Sequence, residues 1–325
     1  MKVTATAPSN IAFIKYWGKK DEDLKIPENG SISMNLSNLI TTTTVEFDPE
    51  YKKDLITINN ESDEQEENRI IKHLNLIRKK ANINLKAKVV SNNNFPEGTG
   101  LSSSASGFAA LTLASTKAAG LNLSEKELSI FARQGSGSAC RSIPDGFVEW
   151  LAGDTSETSY SQSLHPADYW KIVDVVAIVS HEKKDISSTE GQKLVSTSPF
   201  FQTRLTHIKE KIDLLKKIIE DKNFTEFGQL IEQEALELHA IMLTSTPSLI
   251  YWQPETVRLM KLIKKWRNEG LEVYFTVNTG QDIHLIIEEK NLTKLTEKLK
   301  NIKEVKKIII NRPSVGARLV KNHLF

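Results

Sequence analysis

Cysteine is almost missing from this chain: one residue, Cys140, in 325. That excludes an intrachain disulfide, and a lone thiol cannot build a metal site; it reads best as a small buried side chain. Charge of one sign is equally scarce, since 43 Lys+Arg against 41 Asp+Glu leave a formal net charge of +2. No global field therefore argues for nucleic acid or an anionic membrane as a partner, and any anion must be held locally. No apolar run approaches the length of a membrane span, and the opening Met-Lys-Val-Thr-Ala-Thr-Ala-Pro lacks the hydrophobic core of a signal peptide, so a cytoplasmic protein is expected. Ligand-spaced histidines are lacking too: His181, His207 and His284 stand singly and read as surface or packing residues, and no metal site is expected. There is no internal repeat, no G-x-x-x-x-G-K-[ST] loop and no G-x-G-x-x-G placement. What remains is an ordinary globular composition, 39% hydrophobic and 26% charged, long enough for two sub-domains that share an interface.

The most informative stretch is Asn94-Phe95-Pro96-Glu97-Gly98-Thr99-Gly100-Leu101-Ser102-Ser103-Ser104-Ala105-Ser106-Gly107, a polar loop that runs into a small-residue helix expected over 108–120. Glycines let backbone approach an anion closely, and hydroxyls and helix N-terminal amides can point at it. The composition suits a phosphate cradle; a flexible turn capping an ordinary helix fits it as well. A second stretch, Arg133-Gln134-Gly135-Ser136-Gly137-Ser138-Ala139-Cys140-Arg141-Ser142, alternates Gly and Ser between two arginines, one able to clamp a carboxylate or phosphate bidentately. It reads as a second anion site. Lys15 sits among Ile14, Tyr16 and Trp17, either snorkelling along a surface, which spacing alone favours, or held at the lip of a pocket.

Around these motifs the pattern alternates between periods. Strands are expected over 3–7, broken by Pro8-Ser9-Asn10, then over 31–36, 40–47, 85–90, 146–150 and 172–180. The acidic segment 59–67 reads as a solvated loop before a helix over 68–80; a helix over 123–132 has Ser124 as its N-cap. Beyond 185 the pattern turns helical over 188–196, 203–219, 224–239 and 254–268, followed by a β-hairpin of 271–276 with 283–288, a helix over 292–299 and a strand over 305–311. His239 reads as a helix-end cap, and Trp150, Trp170, Trp252 and Trp266 as core or interface.

Asn10-Ile-Ala-Phe-Ile-Lys15-Tyr16-Trp17-Gly18-Lys19, the loop from Asn94 to Gly107, and Gly135-Ser-Gly-Ser-Ala-Cys-Arg141-Ser142 together resemble the diphosphomevalonate decarboxylases of the GHMP kinase superfamily. The likeness continues through Lys184-Asp-Ile-Ser-Ser-Thr-Glu-Gly191 and His239-Ala240 to Val277-Asn278-Thr279-Gly280, in the family's order. The resemblance implies an α+β GHMP kinase fold: an N-terminal ribosomal-protein-S5-like half over 1–180, a C-terminal ferredoxin-like half over 181–325, and an active site in the groove between them. It also implies a homodimer that phosphorylates the 3-hydroxyl of mevalonate 5-diphosphate with ATP and Mg²⁺, then eliminates phosphate and CO₂ to leave isopentenyl diphosphate. By the same resemblance Asn94, Pro96, Gly98, Gly100, Ser102, Ser103, Ser104 and Ser106 would hold the nucleotide phosphates. Ser136 and Ser138 would contact the substrate diphosphate and Arg141 its carboxylate, with Lys15, Tyr16 and Lys19 lining the cavity.

One position departs from the pattern. Where the family has Asp-Ala-Gly-Pro-Asn, its aspartate taken to act on the substrate hydroxyl, this chain has Asn278-Thr279-Gly280-Gln281-Asp282. An asparagine cannot accept a proton, and loss of a general base costs about 10² to 10⁴ in rate. Asp282 could compensate, although the hairpin geometry argues against it. Alternatively, the chain could decarboxylate an already 3-phosphorylated mevalonate without ATP, or be a silent binding homologue.

Overall fold

The computed structural model describes residues 1–61, 63–95, 100–180, 182 and 184–325. In chain order the elements are β1 (Lys2–Ile14), β2 (Lys19–Asp21), β3 (Ile26–Pro27), β4 (Ser31–Asp48), β5 (Leu55–Ile58), α1 (Glu64–Ala81), β6 (Lys86–Asn93), α2 (Ser103–Ala118), α3 (Glu125–Gly135), β7 (Phe147–Trp150), β8 (Ser161–His165) and β9 (Ile172–Ile178). Then follow α4 (Ser188–Lys193), α5 (Phe201–Asp221), α6 (Phe224–Thr244), α7 (Pro254–Asn268), β10 (Val273–Thr276), β11 (Ile283–Glu288), α8 (Leu292–Lys300), β12 (Lys307–Asn311) and β13 (Arg318–Val320).

A seven-stranded sheet runs β13-β1-β4-β6-β5, with β7 on β4 and β8 on β7; a four-stranded sheet runs β10-β11-β9-β12. Strand β1 does not stop at Pro8. It continues to Ile14, paired antiparallel with β4, and its register shifts between Pro8 and Asn10, where an irregularity absorbs a residue that has no N–H to donate. The two strands expected over 31–36 and 40–47 are one, β4, long enough to pair with β1, β6 and β7.

The helices also start earlier than periodicity suggests. Asp63 caps α1 by accepting from the Gln65 and Glu66 amides, so much of the expected acidic loop is helix. Helix α2 begins at Ser103 rather than 108 and is buried along most of its length; Thr112, Ser115 and Thr116 return their hydroxyls to carbonyls four residues back, which lets polar residues sit inside. Helix α3 carries the Ser124–Glu127 capping box.

Strand β9 explains its own apolar run. Ile172, Val176 and Ile178 face a core shared with β1, β4, α5 and α6, while Val173, Val175 and Ala177 face a core shared with α7 and α8. The first of these cores contains Ile11, Phe13 and Ile14 beside Ile231 and Ile286, so it ties both sheets together. Trp150, Trp170 and Trp266 are buried and Trp252 half-buried. No described helix is long and apolar enough to cross a membrane.

Candidate active site

A cavity of about 440 Å³ opens where the end of β1, the start of α2, the 3₁₀ turn Gly137–Ser142 and the 277–282 turn meet. Two glycines let the parts approach. Gly100, at φ +104°, lies against the backbone of the second turn: a Cβ there would stand 2.9 Å from Gly280 Cα. At Gly137 a Cβ would meet the Tyr16 ring at 2.8 Å, so the turn seats directly on Tyr16, which packs on Trp150.

From the loop before α2 and its first turn, Gly100, Ser102, Ser103 and Ser104 line the cavity. Ser102 takes φ +58° and gives α2 no side-chain cap; its carbonyl accepts the Ala105 amide at 2.9 Å, and no described residue accepts from the Ser103 or Ser104 amide, so these two are left for another acceptor. These donors fit a phosphate group. Two expected members do not line it. Asn94 holds its Oδ1 on the Ile40 amide at 2.8 Å and pins the loop to β4, while Ser106 is fully buried, donating to Ser103 O and sharing a hydrogen bond with Thr41. Pro96 and Gly98, like His181, lie outside the described residues.

The wall built by the 3₁₀ turn is cationic. Arg141 is buried, and its donors reach Ser31 Oγ at 2.7 Å and Asn10 Oδ1 at 3.1 and 3.3 Å, all neutral acceptors. Asn10 is itself fixed by donating to Ser142 Oγ and Ser138 O. Among the described residues no carboxylate pairs with Arg141, so a buried guanidinium faces an anion-sized space without a counter-ion. Ser136 and Ser138 line the same wall, and Ser136 Oγ meets Ser104 Oγ at 3.2 Å, bridging the two Gly/Ser stretches. Lys19 lines it too, paired with Glu22. Arg133 plays no such part: it is spent on Leu24 O and the carbonyls of Ser156 and Ser159.

Lys15 does not snorkel. It is 2% exposed, and its Nζ donates to Ala12 O at 2.7 Å and to Asn278 Oδ1 at 3.0 Å. Burial lowers its pKa to about 7, with Arg141 and Arg204 adding to the effect and Glu234 and Asp174 opposing it. Asn278 completes a bridge, since its Nδ2 donates to Ser102 Oγ at 3.3 Å. His239 is buried, stacks on Trp252 and contacts the Asn278 carbonyl at 3.0 Å; burial holds it neutral, at about 3, and it steadies the turn rather than capping a helix. Asp282 cannot stand in for the missing carboxylate, because its Oδ1 accepts the Val179 amide outside the cavity lining. His284 packs on Asp174, His207 pairs with Glu237 at the surface, and burial pushes the Cys140 thiol up to about 11.

Several lining residues escaped the sequence reading. Lys25 donates to the Gln134 and Gly135 carbonyls and is lowered to about 7 by burial and neighbouring cations; Arg69 lies nearby. No local pattern marks either. Lys184, lowered to about 8 by burial, bonds Ser188 Oγ and Thr279 O, and its stretch was visible only as part of the likeness.

Two family models match the chain, the diphosphomevalonate decarboxylase-like N-terminal domain over residues 7–161 and the mevalonate 5-diphosphate decarboxylase C-terminal domain over 174–317. The chain belongs to the diphosphomevalonate decarboxylase family. It is 35% identical to the diphosphomevalonate decarboxylase of Candida albicans, over 90% of this chain and 86% of that one. Mevalonate diphosphate decarboxylase from Staphylococcus aureus shares 37% identity at a TM-score of 0.94, covering 98% of each chain. The Enterococcus faecalis enzyme, solved in a study of mevalonate diphosphate-mediated ATP binding, shares 36% at a TM-score of 0.92, covering 99% of each. A further structure, MDDEF with MVAPP, AMPPCP and magnesium, shares 37% at 0.93, again covering 99% of each. The α+β GHMP kinase fold of this family is the fold described above.

Proposed function

We infer that this chain is an ATP-dependent decarboxylase that converts mevalonate 5-diphosphate to isopentenyl diphosphate, by 3-phosphorylation followed by loss of phosphate and CO₂. The observation that carries the chemistry is Arg141, with no carboxylate partner among the described residues, facing a cavity that the N-terminus of α2 also lines. A carboxylate at the first and a polyphosphate at the second are what these donors fit.

In this reading Ser102, Ser103, Ser104 and the first amides of α2 bind the nucleotide phosphates, with Gly100 letting the loop lie against the turn that carries Asn278. Magnesium, bound with those phosphates, supplies neutralisation of the charge that develops on the transferred group. Ser136, Ser138, Tyr16 and Lys19 hold the substrate diphosphate, and Arg141 orients the carboxylate in line with the departing phosphate. Arg141 acts by orientation: an interaction that gripped the carboxylate harder before reaction than during it would slow CO₂ loss. Asn278 ties Lys15 to the phosphate loop through its two amide atoms. The reading extends to a homodimer, as the resemblance implies, working in the cytoplasm.

Protein turned over with Mg-ATP and mevalonate 5-diphosphate is expected to release isopentenyl diphosphate, identified by mass spectrometry. Product from a 3-phosphorylated mevalonate alone, with none from the ATP reaction, would replace this reading by a pure elimination. Gly100→Ala is expected to lower kcat/KM for ATP roughly tenfold, since a left-handed backbone costs an L-residue about 1–2 kcal/mol before the contact with Gly280 is counted. Unchanged kinetics would show that the loop and turn need not touch.

A further inference from the structure

We propose that Lys15 is the general base of the phosphoryl-transfer step, taking the proton of the tertiary 3-hydroxyl onto its side-chain nitrogen. This rests on the decarboxylase reading above, and adds to it the group that moves the proton.

The geometry at Nζ carries the proposal. A neutral amine has two N–H bonds and one lone pair. Among the described residues Lys15 Nζ has two hydrogen-bond partners, Ala12 O and Asn278 Oδ1, and both are neutral acceptors. Two N–H groups satisfy both, which leaves the third position on nitrogen as an acceptor site on a residue that lines the cavity. An ammonium would instead carry a third proton without a partner in a buried place.

The carboxylates are engaged elsewhere. Among the described residues only Asp63 and Glu66 line the cavity, both at the start of α1: Asp63 accepts that helix's amides and Glu66 pairs with Arg69. Glu234 is close but faces the other way, with Oε1 on the Lys15 backbone N–H and Arg204, and Oε2 on Lys211. Asp174 is held by His284 and Asn311. Facing the amine from the other elements, among the described residues, are therefore Arg141 and Arg204, which disfavour its proton, Glu234 and Asp174, which favour it, and the neutral His239. With burial the largest influence, the balance puts half of Lys15 in the neutral form near pH 7.

The proton count closes over a turnover. In the first step the substrate O–H bond breaks and an N–H bond forms on Lys15, while the hydroxyl oxygen bonds to the γ-phosphorus and the bond from that phosphorus to ADP breaks. In the second step the C–C bond to the carboxylate breaks, CO₂ leaves, its electron pair becomes the new C=C bond, and the C–O bond to phosphate breaks. Lys15 then returns its proton to the departing phosphate, which leaves as hydrogen phosphate, and the amine is neutral again. No outside acid, base or redox partner is needed.

The test uses the intact protein with mevalonate 5-diphosphate and Mg-ATP. The wild-type kcat/KM profile is expected to fall below pH 7, because it reports the free enzyme's essential base. Asn278→Asp places a carboxylate where an amide oxygen now stands 3.0 Å from Nζ; it keeps Lys15 charged and accepts the proton itself, so the acid limb moves down toward the carboxylate range. At pH 6 this variant should be about tenfold faster than wild type, since one unit below its pKa about a tenth of the amine is neutral. Lys15→Arg, charged at every working pH, should lose about 10² to 10⁴ in turnover while still binding mevalonate 5-diphosphate in calorimetry, and should recover in the Asn278→Asp background. A readout independent of turnover is a ¹⁵N-lysine NMR titration, in which the Lys15 Nζ signal should move near pH 7.

A Lys15→Arg protein that binds substrate and keeps turnover within tenfold of wild type overturns the base assignment alone. So does an Nζ that titrates near 10, or an acid limb unmoved by Asn278→Asp; these two decide the matter if Lys15→Arg does not fold. A wild type that binds substrate yet forms no ADP at any pH overturns the decarboxylase reading itself.

Discussion

Replacing Arg141 by alanine is expected to remove decarboxylation, by roughly 10² to 10³ in kcat/KM for mevalonate 5-diphosphate, and to leave ATP affinity near that of wild type. The size follows from what is taken away: a fully desolvated, charge-assisted contact of this kind costs about 2–5 kcal/mol when one side is truncated. The selectivity follows from position. Arg141 is held by Ser31 and Asn10 on the wall of the 3₁₀ turn, while the phosphate donors belong to a different element, the start of α2. Lysine should not rescue it, because a point charge cannot reproduce the planar fork that Ser31 and Asn10 aim. Steady-state kinetics together with nucleotide titration by fluorescence would check this, and a parallel loss of ATP affinity would contradict the division of the cavity into two parts.

The second large effect is on stability. Glu234 and Arg204 form an ion pair with both side chains fully buried, backed by Lys211 and Glu237. The pair grips the Lys15 peptide from both sides, because Glu234 accepts its N–H and Arg204 donates to its C=O at 3.1 Å. Glu234→Ala leaves Arg204 charged and buried and should cost about 3–5 kcal/mol, a fall of roughly 4–7 °C in the melting midpoint. Replacing both partners by leucine should recover part of that loss, since the desolvation penalty goes with the charges. Calorimetric melting of the single and double variants measures it; a single variant within 1 °C of wild type would show that the pair is not structurally required.

Local pattern carried much of the architecture, and its failures have identifiable causes. The N-cap at Ser124 and the hairpin flanking 277–282 are short-range features, and both stand in the structure. Pro8 was a misleading signal because a long strand can host proline where its register slips. The serines before Gly107 looked like loop, yet they open α2, since a buried helix N-terminus facing an anion site is rich in small hydroxyls for the same reason a loop is. The site itself was only half legible. The glycine and serine stretches and Arg141 announced anion binding by composition, whereas the Lys15–Asn278 contact joins residues 263 positions apart and no local spacing reveals it. Lys15 therefore reads as a surface residue in the sequence, whereas α5, α6 and the turn carrying Asn278 bury it. Asn94 and Ser106 went the other way: they belong to the phosphate stretch in sequence but serve to fasten it to β4.

The most direct test of the whole account is a count of ADP against CO₂ when the wild-type protein turns over carboxyl-labelled mevalonate 5-diphosphate with Mg-ATP above pH 7.5. One ADP and one CO₂ per isopentenyl diphosphate is the expected result, and it would establish that a cavity with asparagine at position 278 runs both steps. ADP formed without CO₂, or CO₂ released without ADP, would contradict it.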